Sequence, residues 1–354
     1  MIDKKKYFTE NLLTWFATNH RPMPWKGEKN PYLVWLSEII LQQTTVRQGL
    51  PYFERFVAQY PSVFDLANAP EDDVMKLWEG LGYYSRARNL HATAKHIAFE
   101  LNGSFPTSYD GLLTLKGVGS YTAAAIASFA FDLPHAVVDG NVYRVLSRYF
   151  GIEEPIDAPK SKTIFTVLAN EVLEKNRPAD FNQAMMDFGA THCTPAQPNC
   201  KNCLMQTACV AFAKNLVNVL PIKSKKMVKR DRFFNYFILN QNDFVFIKKR
   251  LEKDIWQNLY DFPLIETTDF MEHLEDIDDS DLPLHNFKLL KKSKPFKQLL
   301  THQKIVGVFW EFEIPYDFSI NEGDYVRIER KNLVNFAFPK IIDNYFQEKV
   351  LNLF

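Results

Sequence analysis

Four cysteines within seventeen consecutive residues restrict this chain more than any other feature of its sequence. Cys193, Cys200, Cys203 and Cys209 are separated by six, two and five residues. The chain shows no signal peptide and no apolar stretch long enough to span a bilayer, so we expect a cytoplasmic protein. In a reducing compartment, clustered cysteines favour a metal centre over disulfides. Four thiolates can hold zinc or a 4Fe–4S cluster, although zinc sites generally use two Cys-x2-Cys pairs and only the middle pair here has that spacing.

The remainder of the chain divides into two parts with different patterns of apolar residues. Up to about residue 212, apolar residues recur at spacings of three and four, which predicts helices separated by Pro, Gly and Asn. Residues 214–230 form a basic, proline-marked connector. The stretch 232–250 then reads as a β-hairpin around an Asn-Asp turn, and residues 304–315 as a further strand. We therefore predict a multi-domain protein, with an all-α domain (1–213), a linker (214–230) and a small α+β domain (231–354).

Charge alone does not decide the function. The formal net charge is zero, which argues against a general nucleic-acid binder. Basic residues nevertheless cluster in 222–232 and in 288–304, whereas 266–281 carries eight acids and no Lys or Arg. Such runs are compatible with either a solvated surface or phosphate contacts.

The segment LKGVGSYTAAAIASFAF, residues 115–131, places a Gly-x-Gly turn between two predicted helices. Such a turn lets backbone N–H groups approach a phosphate, and the amino terminus of the following helix adds its dipole. The residues involved are Gly117, Val118 and Gly119. Taken alone, the pattern is also that of a tight helix–helix turn.

Two carboxylates stand in segments that suit catalysis. Asp139 in AVVDGNVYRVL (136–146) precedes an apolar helical period, so on its own it reads as a helix N-cap. Glu38 in WLSEIILQQT (35–44) lies between apolar residues of a helix. Burial would raise its pKa, which is what a general acid needs at neutral pH, whereas an exposed position would make it an ordinary surface residue.

Together these motifs resemble the MutY-type adenine DNA glycosylases of the endonuclease III, or helix-hairpin-helix, superfamily. The cysteine spacing, the hairpin, the Asp139 segment and SEIILQQT occur in the family's order, as do WEGLGYYSRARNLH (78–91) and FNQAMMDFGATHC (181–193). The resemblance runs from about Trp15 to Ala211; Lys116 stands where members usually have Pro. It implies a helix-hairpin-helix glycosylase domain with a 4Fe–4S cluster that is held by the four cysteines and has a structural role.

The resemblance also implies a role for individual residues. Base excision requires the base to be flipped out, the leaving purine to be protonated and a sugar cation to be stabilised. Glu38 would protonate adenine N7, and Asp139 would act as electrostatic partner or transient nucleophile. Tyr121 and Asn141 would orient Asp139 and the sugar, while Trp25 and Gln183 would line the adenine pocket. DNA contacts would come from Gln42, Gln43, Thr44, Leu81, Gly82, Tyr83, Gly117, Val118 and Gly119, with Leu81 and Tyr83 as wedges.

One position separates reaction types. Glycosylases that also cleave the strand carry a Lys two residues after the second Gly of the hairpin, which forms a Schiff base with the sugar. This chain has Tyr121 there. We therefore predict base excision without an efficient lyase step.

The segment IWQNLYDFPLIET (255–267) resembles the Nudix-like domain that MutY-type enzymes use to inspect the opposite base. No Nudix hydrolase signature is present. The family's 8-oxoguanine contact is a Phe-Ser-His loop, for which this chain has Leu300-Thr301-His302, so Thr301 and His302 are the candidate 8-oxoguanine contacts. The implied partner is double-stranded DNA with A:8-oxoguanine or A:G mispairs, bound by a monomer that in a bacterium would be associated with the nucleoid.

Two other classes compete with this prediction. One is a neighbouring glycosylase, either a lyase for oxidised pyrimidines or a thymine/uracil mismatch enzyme; Tyr121, Glu38 and the appended domain argue against it. The other is a DNA-binding or redox-sensing protein without enzymatic activity. Since both Glu38 and Asp139 are present, the enzyme is favoured.

Overall fold

The computed structural model describes residues 3–224, 228–276, 286–318, 320 and 325–351. Lys225 and Lys226 of the basic run, and residues 277–281 of the acidic stretch, lie outside them. The chain forms two compact units. The first comprises Met1–Ala67 with Ala92–Lys226, and the second comprises Asn68–His91 with Met227–Phe354.

The boundary near residue 226 lies inside the predicted connector. Residues 68–91, which the sequence assigns to the first domain, belong to the second unit. They pack with the second unit through polar contacts. Tyr260 donates a hydrogen bond to Asp72 at 3.0 Å, Lys249 forms an ion pair with Asp72 at 2.5 Å, and Asn258 donates to Glu71.

The helices, in chain order, are α1 (Lys4–Asn19), α2 (Pro31–Leu41), α3 (Val46–Gln59), α4 (Val63–Asn68), α5 (Glu71–Trp78), α6 (Ser85–Lys95), α7 (Tyr109–Leu113), α8 (Ser120–Phe131), α9 (Gly140–Phe150), α10 (Ser161–Val172), α11 (Pro178–Thr191), α12 (Val210–Ala213) and α13 (Lys340–Leu351). None of the described helices combines the length and apolarity needed to cross a membrane.

The regular secondary structure in the described residues of the first unit is helical and includes no strand, as predicted. Its helices begin where the sequence supplies caps: Asp3 accepts from the N–H groups of Lys5 and Lys6, and Asn30 accepts from the N–H of Tyr32. Buried side chains of α1, such as Phe8 and Trp15, belong to the same apolar core as residues of α9, α10 and α11. This core includes Val142 in the first turn of α9, the helix that Asp139 precedes.

The second unit is built on a mixed sheet. Its strands are β1 (Arg230–Gln241), β2 (Phe244–Lys249), β3 (Tyr260–Asp261), β4 (Leu264–Thr267), β5 (Lys288–Lys292), β6 (Phe296–Leu299), β7 (Gln303–Glu313) and β8 (Val326–Glu329). The order is β3-β2-β1-β7-β5, with β4 paired to β1, β6 to β7 and β8 to β2.

The central strands β1 and β7 run parallel over eleven residue pairs, from Arg230 opposite Gln303 to Asn240 opposite Glu313. The predicted hairpin is confirmed, since β1 and β2 pair antiparallel around Asn242, whose φ is +54°. Tyr345 of α13 stacks on Phe309, and an added Cβ at Gly307 would meet Ile341 at 2.8 Å. The α+β prediction for this unit is therefore confirmed at the level of its architecture.

Candidate active site

A cleft of about 870 Å³ opens in the first unit. It brings together residues from five separate segments of the sequence. Seven of the predicted site residues line it: Trp25, Glu38, Thr44, Tyr121, Asp139, Asn141 and Gln183. The predicted catalytic and adenine-pocket residues therefore share one concave site.

Glu38 is buried within α2, with 5% of its surface exposed. Burial, opposed by a hydrogen bond that the Tyr121 hydroxyl donates and assisted by the charge of Asp139, raises the pKa of its carboxyl to about 7. Glu38 is thus partly protonated at neutral pH while it faces the cleft. This is the condition that a general acid requires.

Asp139 caps α9, so the N-cap prediction is confirmed. Its Oδ1 accepts from the N–H of Val142 at 2.8 Å, and its Oδ2 accepts from Nδ2 of Asn141 at 2.8 Å. Both bonds hold the carboxyl group in place, and the helix amino terminus lies beside it with its partial positive charge. The result is a fixed anion at the wall of the cleft.

Arg144 supports this arrangement and was missed at the sequence level. Its Nη2 donates to Oδ1 of Asn141 at 2.8 Å and to the carbonyl of Gly189 at 2.6 Å. Its Nε donates to the carbonyl of Cys193 at 2.8 Å. One buried guanidinium thus joins the Asn141–Asp139 pair to the first cysteine. Arg144 lies in the Asp139 motif, but nothing in that local pattern predicts its distant partners.

Tyr121 is the second residue of α8, immediately after the hairpin. Burial, together with the charges of Glu38 and Asp139, raises the pKa of its hydroxyl well above the ordinary value. It therefore remains a neutral donor to Glu38. An amine for Schiff-base chemistry is not available at this position.

A buried carboxylate organises the other wall of the cleft. Asp187 of α11 has a fully buried side chain and forms ion pairs with Arg21 at 2.8 Å and with Lys26 at 2.5 Å. Nε2 of Gln183 lies 3.4 Å from the same carboxylate. Because Lys26 also donates to the carbonyl of Arg21 at 2.6 Å, the segment that carries Trp25 is tied down. The sequence prediction named Trp25 and Gln183 but not Asp187.

The predicted DNA-contact residues of the first unit lie at helix ends. Gln42 follows α2 and donates from Nε2 to the Thr122 hydroxyl at 3.1 Å, and Gln43 is exposed with φ of +54°. Gly117 has φ of +79°, which favours glycine. A Cβ at Gly119 would meet nothing within 4 Å, so the backbone there is open to a ligand.

The four cysteines line one small cavity together with Arg148, and all four are free thiols. Within the described residues, no three His, Cys, Asp or Glu side chains are grouped so that they could hold a metal ion. Burial, opposed by a backbone hydrogen bond from Met205 and assisted by the neighbouring thiols, raises the pKa of the Cys203 thiol to about 11. Arg148 donates to the carbonyl of Thr194 at 2.7 Å and approaches Sγ of Cys193 at 3.5 Å.

In the second unit, the predicted wedge residues differ in exposure. Gly80, Gly82 and Tyr83 all have positive φ, and this turn directs Leu81 inward, where it is 4% exposed. Tyr83 is 48% exposed. The turn is braced by Nε1 of Trp78, which donates to the carbonyl of Gly82 at 3.0 Å. Tyr83 is therefore the accessible member of the pair, and Leu81 is not presented as a wedge.

Thr301 and His302 lie in a turn between β6 and β7, closed by the N–H of Leu300 donating to the carbonyl of Gln303 at 2.8 Å. His302 is exposed. The hydroxyls of Thr301 and Tyr83 are hydrogen-bonded at 2.5 Å. The structure thus joins the predicted wedge to the predicted 8-oxoguanine loop.

The chain is similar to known proteins in sequence and in fold. Residues 36–171 match the family model described as HhH-GPD superfamily base excision DNA repair protein. An adenine DNA glycosylase of Buchnera aphidicola subsp. Schizaphis graminum is 32% identical over 350 residues, covering 98% of each chain. Another from Buchnera aphidicola subsp. Baizongia pistaciae is 37% identical over 261 residues, covering 72% of this chain and 73% of its own. A solved thermostable thymine-DNA glycosylase superposes with a TM-score of 0.56 at 31% identity, covering 60% of this chain and 97% of that one.

Proposed function

The chain belongs to the adenine DNA glycosylase family of base excision repair, and from that premise we propose that it removes adenine opposite 8-oxoguanine or guanine in duplex DNA. The observation that carries the proposal is the placement of Glu38, whose carboxyl has a pKa raised to about 7 by burial, in the same cleft as Asp139. Glu38 can deliver a proton to the leaving base, and Asp139 can stabilise the positive charge that develops on the sugar, as N-glycosidic cleavage requires.

The reaction begins with extrusion of adenine from the stack, at a cost of a few kcal/mol. The cleft of about 870 Å³, bordered by Trp25 and Gln183, receives the base. Protonated Glu38 donates to N7, which makes the purine a better leaving group. The Tyr121 hydroxyl, bonded to Glu38, holds that carboxyl in place.

As the glycosidic bond lengthens, positive charge develops on the sugar. Asp139 stabilises it, because hydrogen bonds from Asn141 and the N–H of Val142 fix its carboxylate at the wall of the cleft. Water completes the hydrolysis. Since the Lys position of the strand-cleaving enzymes holds Tyr121, we propose a monofunctional enzyme. Stoichiometric trapping of wild-type protein on DNA by borohydride would refute this part.

Recognition of the opposite base is assigned to the second unit, which we propose is Nudix-like. Tyr83 is exposed and hydrogen-bonded to Thr301, so the residue that enters the duplex and the loop that reads the base act together. Replacing Thr301 and His302 with Ala should lower the ratio of excision rates for A:8-oxoguanine over A:G. An unchanged ratio would remove the assignment.

The four cysteines supply the thiol ligands that a 4Fe–4S cluster takes: they are free, they line one cavity, and Arg148 lies beside Cys193, although among the described residues their side chains are not grouped closely enough to hold a single metal ion. When bound, the cluster would fasten the loop that follows α11. The links from Arg144 to the Cys193 carbonyl and to Asn141 would then connect that loop with Asp139.

A single-turnover assay on duplexes with A:8-oxoguanine, A:G, T:G and thymine glycol tests the function. We expect adenine to be released from the first two substrates and the other two to be retained. The solved thymine-DNA glycosylase makes T:G the informative alternative. Excision of thymine with adenine left intact would overturn the proposal. The enzyme would act as a monomer and, in a bacterium, in the cytoplasm where the chromosome lies.

A further inference from the structure

A second cavity, of about 210 Å³, adjoins the active-site cleft in the first unit. The two share one wall residue, Tyr121. The second cavity is bounded by Ser120 at the start of α8, by the loop that leads to Asp139, and by α10. Eleven residues line it: Tyr109, Ser120, Tyr121, Ala124, His135, Ala136, Val138, Tyr143, Lys162, Thr166 and Asn170.

Several of the side chains that line this cavity can donate hydrogen bonds, and none of the lining side chains is a carboxylate. The lining contains a lysine, a histidine and several hydroxyls, and it contains no Asp or Glu. Asn170 is already engaged, because its Oδ1 accepts from the N–H of Ala136 at 3.1 Å and its Nδ2 donates to the carbonyl of Thr166 at 2.8 Å. An anion with several acceptor oxygens is the ligand that such a lining favours.

Five of the donors around the cavity have no hydrogen-bond or ion-pair partner within the described part of the chain. The hydroxyls of Tyr109, Ser120, Tyr143 and Thr166, and Nζ of Lys162, make no hydrogen bond or ion pair with another described residue. Burial raises the pKa of both tyrosines, so they remain donors at neutral pH. Lys162 is exposed and the hydroxyl-bearing residues are half-buried, so these donors are accessible to a ligand that enters the cavity from solvent.

The position of the cavity indicates which anion. It begins one residue after Gly119 of the hairpin and lies on the far side of Tyr121 from the cleft that receives the extruded base. The sugar of that nucleotide must lie at Asp139, and Val138 is part of the cavity wall. A phosphate joined to that sugar is therefore the nearest anion of a bound duplex.

We propose that this cavity, with Lys162, Tyr109, Tyr143 and Ser120 as its principal donors, binds a backbone phosphate that flanks the extruded nucleotide. The inference rests on the proposed DNA substrate. It adds to the backbone amides of the hairpin a side-chain site, on α7, α8, α9 and α10, that fixes the strand next to the reacting sugar.

The test uses the salt dependence of binding to an adenine-containing duplex. Each neutralised phosphate contributes about 0.9 to the slope of log K against log[salt]. Lys162→Met should lower the slope by about that amount and weaken binding about tenfold at low salt. Lys160→Met is the matched control, because Lys160 is exposed at the same end of α10 and does not line the cavity. Equal slopes for the two variants would overturn the proposal.

Tyr143→Phe removes one neutral donor and keeps the ring that packs against Phe165. It should weaken binding several-fold at every salt concentration and leave the slope unchanged; wild-type affinity would contradict the site. A thermal-shift titration with inorganic phosphate at constant ionic strength separates the two sources of phosphate. Stabilisation that depends on Lys162, with no change in the DNA slope, would identify a free-anion site and refute the DNA assignment. Failure of wild-type protein to excise adenine would refute the proposed function while leaving these binding comparisons intact.

Discussion

The buried carboxyl group of Glu38 should lower the free energy of unfolding at neutral and higher pH. Replacing Glu38 with Gln tests this electrostatic cost most directly. In the folded chain, burial and then the charge of Asp139 raise the pKa of Glu38 from 4.5 to about 7. Each tenfold change in proton affinity corresponds to about 1.4 kcal/mol, so ionised Glu38 costs the folded state about 3 kcal/mol. Glu38→Gln removes this cost and keeps an acceptor for the Tyr121 hydroxyl.

The sign follows from proton linkage. The folded state binds the Glu38 proton more tightly than the unfolded chain, so the free energy of unfolding falls as the pH rises from 4.5 to about 7 and levels off above. At pH 8, the free energy of unfolding of Glu38→Gln should therefore be about 3 kcal/mol higher than that of wild type. Near pH 4, the two proteins should have equal free energies of unfolding.

Urea denaturation at several pH values, followed by tryptophan fluorescence, measures this difference. Glu54→Gln is the control, because Glu54 is an exposed residue of α3 and its replacement should change little. The same Glu38 variant should lose excision activity by about 10²–10⁴-fold. If Glu38→Gln were as stable as wild type at pH 8, or less stable, the raised pKa and the acid role built on it would be refuted.

Three further predictions concern the reaction and its support. The single-turnover excision rate should fall about tenfold for each pH unit above 7, because only the protonated form of Glu38 is active; a rate that rises with pH would contradict this. Arg144→Gln should slow excision by about tenfold or more while DNA binding persists, because unsatisfied buried groups near Asn141 cost about 1–3 kcal/mol each; rates equal to wild type would remove Arg144 from the account. Cys203→Ser should lower the iron content of the purified protein, and unchanged iron analysis would refute the cluster proposal.

The residues that the sequence predicted best are those with local signals. Asp139 precedes a helix and caps it, and Glu38 lies between apolar residues and is buried with them. The β1–β2 hairpin follows from its Asn-Asp turn and flanking aromatic residues. In each case the interactions that fix the structure lie within a few positions of the residue itself, so the pattern contains the information.

The contacts that the sequence did not reveal are long-range. Asp187 meets Arg21 across 166 positions, and spacing alone cannot pair a buried carboxylate with a distant cation. Residues 68–91 pack with the second unit because Asp72 and Glu71 find partners more than 170 positions away. Leu81 and Tyr83 look alike as apolar candidates, but the positive φ at Tyr83 and its glycine neighbours turns one inward and leaves the other exposed.

Release of free adenine under single-turnover conditions tests the central claim most directly. Wild-type protein in excess over an A:8-oxoguanine duplex should convert it to an abasic product with one equivalent of adenine, while the Glu38→Gln protein, shown to be folded by its denaturation curve, should release almost none. Retention of adenine by wild type, or equal release by the Gln variant, would contradict the assignment of Glu38 as the acid that makes adenine leave.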